Sequence, residues 1–88
     1  MKAFVLIKSE YAVIDGHVCN FWQDAQLYSD FNVASSAMLS SMAEKFNTLF
    51  SEGSNPCMSI NPKWGIIHAM VHGKNGYFRY QIFERELM

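Results

Sequence analysis

One segment with helical periodicity lies between two residue pairs that favour hairpin turns, and this order limits the folds open to the chain. Large apolar residues recur every three or four positions in the segment, while small polar and charged residues occupy the other side. The pattern predicts a single amphipathic helix from about Val33 to Glu52. Its apolar positions are Met38, Leu39, Met42, Phe46, Leu49 and Phe50.

The residues that flank this segment favour helix ends. Ser29, Asp30 and Asn32 lie at its start, and each side chain can accept a hydrogen bond from the free amides of a first helical turn. Gly53 follows the segment and can adopt the left-handed conformation that commonly ends a helix. Both ends of the helix are therefore predicted by the sequence.

The two hairpin signals are Asp15-Gly16 and Asn75-Gly76. Both pairs suit the positive φ angles of a two-residue turn. The first predicts a hairpin whose returning strand covers residues 17–22, with a bulge near Ser9-Glu10 because the first arm is long. The second predicts two strands within residues 64–87.

Two stretches lie outside these elements. Residues 23–32 form a polar stretch that leads to the start of the helix. Residues 53–63 contain two Asn-Pro pairs and predict an irregular connection, because proline biases the preceding residue away from helix. The remaining order of strand, strand, helix, strand, strand predicts an α+β fold. It consists of a four-stranded antiparallel sheet in ββαββ order with the helix packed on one face. At 88 residues, the chain is expected to form one domain, 1–88.

Side-chain alternation in the second hairpin assigns its two faces. With Asn75 and Gly76 as the turn residues, Lys74 pairs with Tyr77. A four-residue turn from Gly73 to Gly76 changes the pairing but keeps the same parity. One face is then apolar enough to receive the helix. It carries Ile67, Ala69, Val71, Phe78, Tyr80 and Ile82.

The opposite face of this hairpin mixes large apolar side chains with cationic and titratable ones. Such a mixture is either a solvated face with scattered apolar residues or an interaction surface. Aromatic residues, methionine and arginine are enriched at protein interfaces, which favours the second interpretation. The loop over residues 53–63 is the alternative contact surface. The predicted partner-binding residues are Trp64, Ile66, His68, Met70, Arg79, Phe83 and Arg85.

Composition narrows the kind of partner. Half of the residues are apolar, 17% are charged and the formal net charge is −1. Disorder is excluded, because disordered chains are poor in aromatic residues and rich in charge. The chain lacks the broad basic field of non-specific nucleic-acid binding, and its low net charge favours self-association. We therefore expect another protein, or a second copy in a homodimer, as the partner, and nucleic acid is disfavoured.

The candidate metal ligands do not have the spacing of a metal site. His68 and His72 are four positions apart on a strand, which separates them by about 13 Å. His17 and Cys19 are next-but-one neighbours and could bind one ion together, but they are more simply explained as a surface histidine at the hairpin end and a half-buried small apolar residue. The sequence contains no ordered nucleophile motif and no phosphate-binding glycine motif. We therefore expect no metal, no cofactor, no catalytic residues and no enzymatic activity.

These observations predict a small protein-protein interaction module that acts as an inhibitor, adaptor or regulator. Short proteins of this kind include those that bacteriophages use against host machinery. The alternative is a small nucleic-acid-binding module, since residues 74–80 place aromatic and basic side chains on one strand. The longest apolar run near the start, Ala3 to Ile7, is too short for a signal peptide or a membrane span. The cytoplasm is the expected location, with no membrane as partner.

Overall fold

A computed structural model describes residues 2–53, 55–63 and 66–86, and the side chains of residues 62, 63 and 66 lie outside that description. The described residues form one antiparallel sheet and a helix. In chain order the elements are β1 (Lys2–Ile14), β2 (His17–Tyr28), α1 (Phe31–Ser51), β3 (Cys57–Lys63), β4 (Ile66–His72) and β5 (Gly76–Glu86).

The predicted four-stranded sheet in ββαββ order is wrong, because the sheet has five strands in ββαβββ order. The additional strand is β3, which forms from the second half of the stretch predicted to be irregular. It lies at an edge of the sheet and pairs only with β4, with Pro62 opposite Ile67. An edge strand is paired on one side only, so it tolerates a residue without an N–H group. The two Asn-Pro pairs therefore predicted irregular chain in a segment that contains a strand.

The spatial order of the strands is β2-β1-β5-β4-β3, which the sequence left undetermined. The two hairpins join through an antiparallel pairing of β1 with β5, in which Leu6 lies opposite Ile82. The helix connects one edge strand, β2, to the opposite edge strand, β3, and it contacts all five strands on its way. The middle of one face is thus covered by α1, whereas Trp22 on β2 and Met58 and Ile60 on β3 occupy positions of the same face and are exposed.

The first hairpin turns at the predicted residues. Asp15 and Gly16 have φ angles of 53° and 79°, which fit a two-residue turn with two left-handed positions. The predicted bulge is confirmed as a register shift between Glu10 and Tyr11. The returning strand does not end at Trp22, because β2 continues through six further residues. Most of these residues are polar because an edge strand is open to solvent, so their polarity did not mean that the strand had ended.

The second hairpin uses the four-residue turn. His72 lies opposite Tyr77, and the Gly73 amide donates a 2.8 Å hydrogen bond to the Gly76 carbonyl. The Lys74–Tyr77 pairing of the shorter turn is therefore wrong. The parity is the same for both turns, so the predicted assignment of the two faces does not change.

The helix begins two residues earlier than predicted and ends one residue earlier, at Ser51. The Asn32 amide donates a 2.7 Å hydrogen bond to the Asp30 carboxylate, which caps the first turn, and Gly53 has the left-handed φ of 81° expected after the last. Leu39 and Phe50 are exposed, so the buried stripe is narrower than predicted. Within the described residues, no helix is long and apolar enough to cross a membrane.

The core lies between α1 and the helix side of the sheet. Tyr80 is the largest of its fully buried side chains, and its hydroxyl accepts a 3.3 Å hydrogen bond from the Ser41 hydroxyl. Burial raises the pKa of the Tyr80 phenol. The buried cluster consists of Leu6, Ala34, Met38, Met42, Ala69, Val71, Tyr80 and Ile82.

Candidate interaction surface

The face of the sheet turned away from α1 is called the outer face below. The predicted division of the second hairpin into two faces is confirmed. Ala69, Val71, Tyr80 and Ile82 are buried beneath the helix, and Ile67 and Phe78 pack against them. The described side chains between these on β4 and β5 point to the outer face, as do those of their register partners on β1, β2 and β3.

The interior strand β1, which lies between β2 and β5, has an unusual distribution of charge between the two faces. Its charged residues, Lys2, Lys8 and Glu10, all occupy helix-side positions, because they share the parity of the buried Leu6. Its outer-face positions carry no charge at all. They are Ala3, Val5, Ile7, Ser9, Tyr11 and Val13. A sheet face that is simply solvated shows the opposite pattern, with polar residues pointing outward.

A row of apolar side chains crosses the outer face near one end of the sheet. Val5 on β1 lies opposite Phe83 on β5 and opposite Leu27 on β2. Leu27 is 64% exposed, whereas Val5 and Phe83 are half-buried. Cross-strand pairs of an aromatic with a β-branched residue stabilise a sheet, so Val5 and Phe83 support each other in this position. Ile7 on β1 and Met70 on β4 extend the apolar area toward the middle of the face.

Three aromatic rings stand together further along the outer face. The Tyr11 and Tyr77 rings are stacked with centroids 4.7 Å apart and an interplanar angle of 17°. The His72 ring lies 5.6 Å from the Tyr77 ring, tilted by 36°. Tyr77 therefore has a ring on each side, which leaves its faces unavailable to stack against a nucleobase.

Arg79 and His68 form a hydrogen bond in the middle of the outer face. The Arg79 Nε donates to the His68 Nε2 over 2.8 Å, so His68 must be neutral at that nitrogen to accept. The two residues lie diagonally across the β4–β5 pair, since Arg79 is directly opposite Met70. Partial burial, and then the charge of Arg79, lower the pKa of the His68 imidazole below its ordinary value of 6.5.

This lowered pKa predicts a pH dependence of the free energy of unfolding. Between the pKa of His68 in the folded chain and 6.5, the unfolded chain binds more protons than the folded one. The stabilising contribution is therefore complete above pH 6.5 and is lost as the pH falls through the folded pKa. Urea denaturation between pH 7.5 and pH 5 should show this loss, and His68→Gln should lose less stability over the same range. Parallel curves for the two proteins would contradict the assignment.

Five of the seven predicted contact residues come together on the outer face. They are His68 and Met70 on β4, and Arg79, Phe83 and Arg85 on β5. Ile66 begins β4 and pairs through its backbone with Lys63, but its side chain is not among those described. Trp64 lies outside the described residues. The alternative contact loop becomes in part the edge strand β3, so most of its residues belong to the same sheet.

Sequence reasoning missed the contribution of the first hairpin to this surface. Val5, Ile7 and Leu27 lie beside the predicted residues only because β1 pairs with β5, which is a long-range contact. One signal could have indicated it. The run from Phe4 to Ile7 is apolar at every position instead of alternating, and this pattern is typical of a strand with apolar contacts on both faces.

Two other features, an exposed apolar hairpin tip and a cleft, are alternative candidate sites away from the centre of the outer face. The tip of the β1–β2 hairpin exposes Val13, Ile14, Val18 and Phe21. A cleft of about 350 Å³ lies where the end of α1 meets the turns of the sheet, and Leu49 is among its apolar lining residues. Among the described residues, no group of three or more His, Cys, Asp or Glu side chains is arranged to hold a metal ion. The outer face is therefore the strongest candidate for a functional surface.

No protein-family model, curated protein or solved structure matches this chain.

Proposed function

We propose that the chain is a small protein-binding module whose outer face docks on another protein. As an inhibitor, adaptor or regulator, it acts by occupying its partner's surface rather than by catalysing a reaction. The observation that carries the proposal is the outward side of β1, where every position is uncharged and three of the six are Val5, Ile7 and Val13. An interior strand of a sheet presents this pattern when a second layer covers it.

The size of the surface fits a transient contact. Five strands about 4.8 Å apart, over roughly eight residues each, give a face of about 600 Å². Stable complexes bury about 800 Å² per partner, so the outer face alone supports binding at the weaker end of specific interfaces. The exposed apolar side chains at the hairpin tip continue the same surface through Val13 and Val18, which are paired with each other.

A pair of cross-linking positions tests which surface is used. The photoreactive amino acid p-benzoylphenylalanine replaces either Leu27, which is 64% exposed on the outer face, or Phe50, which is 68% exposed on the helix. Because the two side chains are equally accessible, a difference in adducts reports on docking and not on exposure. On irradiation in cells of the source organism, we expect a discrete protein adduct from position 27 and none from position 50.

A matched variant controls this experiment. Val5→Thr with Ile7→Thr keeps β-branched side chains on the sheet but makes the centre of the outer face polar. The adduct from position 27 should disappear in this background, while the melting temperature falls by only a few degrees. An adduct that persists, equal adducts from both positions, or adducts to nucleic acid would each contradict the proposal. Gel filtration with light scattering tests the expected homodimer separately, against a monomer mass of 10.1 kDa.

A further inference from the structure

At its described strand positions, the outer face carries positive charge and no carboxylate. Arg79 and Arg85 occupy outer-face positions of β5, and no aspartate or glutamate lies at an outer-face position of the described strands. The acidic residues that alternate with them on β5 point to the other side. There Glu84 pairs with Lys2 over 2.9 Å. The alternation of the strand therefore separates the two signs of charge between the two faces.

The contact that Arg79 makes holds its side chain without neutralising it. Its partner His68 is a neutral acceptor, and the bond uses Nε, which is one of five N–H donors on the guanidinium. The terminal nitrogens keep the fork geometry that binds both oxygens of a carboxylate. A side chain that is already ordered loses less conformational entropy when it binds, so Arg79 is prepared for an anionic group.

We infer that the outer face binds an acidic protein surface, in which carboxylates surround an apolar centre. This inference rests on the proposed function and adds the chemistry of the partner. The apolar centre fits against Val5, Ile7, Met70 and Phe83, and the carboxylates meet the two arginines. Opposite charges placed around an apolar centre give an interface both its orientation and its specificity.

The two other occupants fit this surface less well. A second copy docked face to face would bring four arginines into one interface, and the described strand positions of the outer face offer no carboxylate to pair with them. A nucleic acid needs several phosphate contacts and open aromatic rings. The described side chains of this face include two arginines, and the Tyr77 ring has a neighbour on each side. A distinct, acidic protein is the partner that satisfies both the charges and the apolar area.

A yeast-displayed library of random 15-residue peptides is the probe, sorted with the labelled full-length chain. We expect the selected peptides to be enriched in aspartate and glutamate beside leucine or aromatic residues. The charge variant Arg79→Gln with Arg85→Gln should bind them at least 10-fold more weakly, because each removes a charge-assisted contact. The apolar variant Val5→Thr with Ile7→Thr should also bind the selected peptides more weakly.

The two variants separate the failure of this inference from the failure of the proposed function. The inference of an acidic partner would be wrong if the selected peptides were neutral or basic, or if they bound the charge variant as tightly as the unmodified chain. The docking surface would still stand if these peptides lost affinity for the apolar variant. Peptides indifferent to both variants, or a library without binders, would count against both. If single-stranded RNA 12-mers bound in an arginine-dependent way and no acidic peptide were selected, the partner would be a nucleic acid and the inference of a protein partner would be wrong.

Discussion

Gly76→Ala should be among the most destabilising single substitutions in the chain. Gly76 begins β5 and lies opposite Ala12 of β1, and a Cβ at this position would overlap the Tyr11 carbonyl oxygen, which belongs to the backbone. A backbone atom cannot rotate away as a side chain can, so the β1–β5 pairing must open locally. We expect a loss of about 3 kcal/mol in the free energy of unfolding, measured by urea denaturation.

Gly16→Ala is the matched control for this substitution. Gly16 has a φ of 79°, but nothing lies within 4 Å of a Cβ added there. Its cost is the backbone strain of a left-handed alanine, about 1 kcal/mol. The steric overlap at Gly76 should therefore cost more than the strain at Gly16. Equal losses would mean that the two strands do not approach each other as closely as the structure shows.

The local elements of this fold could be predicted because their signals are local. The Asp15-Gly16 turn needs only two residues with positive φ, and the helix needs only its periodic stripe and its flanking Asp30 and Gly53. Each of these signals lies within a few residues of the structure it specifies. They were therefore available from the sequence alone.

Other parts of the fold depend on contacts between distant residues. The strand β3 forms because β4 provides a neighbour with which to pair, and this neighbour outweighs the effect of Pro62. The joining of the hairpins through Leu6 and Ile82 depends on residues 76 positions apart in the chain. Short-range propensity contains no information about either pairing, so both the strand count and the strand order were beyond it.

The candidate surface divides in the same way. His68, Met70, Arg79, Phe83 and Arg85 follow from the parity of one hairpin, and this parity needs no knowledge of the rest of the fold. The remaining half of the surface comes from β1 and β2, and it enters only once β1 lies beside β5. The separation of charge along β5 follows from the same parity, but only at that stage does it become clear that β1 places no carboxylate beside the two arginines.

Leu6→Ala tests the centre of this arrangement. Leu6 is completely buried on the helix side of β1, within the cluster formed by the sheet and α1. Removal of its side chain takes away apolar contact and leaves a cavity, which costs about 3 kcal/mol. For a domain of this size, each kcal/mol lowers the melting temperature by roughly 4–8 °C, so calorimetry should show a decrease of more than about 10 °C.

Leu27→Ala is the control of identical chemistry on the outer face. Leu27 is 64% exposed, so its truncation removes little buried surface and should cost less than about 0.5 kcal/mol. The same substitution is expected to weaken partner binding, because the side chain belongs to the apolar row with Val5 and Phe83. A large loss of stability from Leu27→Ala, with a small one from Leu6→Ala, would show that the buried face and the outer face of the sheet are assigned the wrong way round. In that case the apolar residues assigned to docking would instead be the core of the molecule.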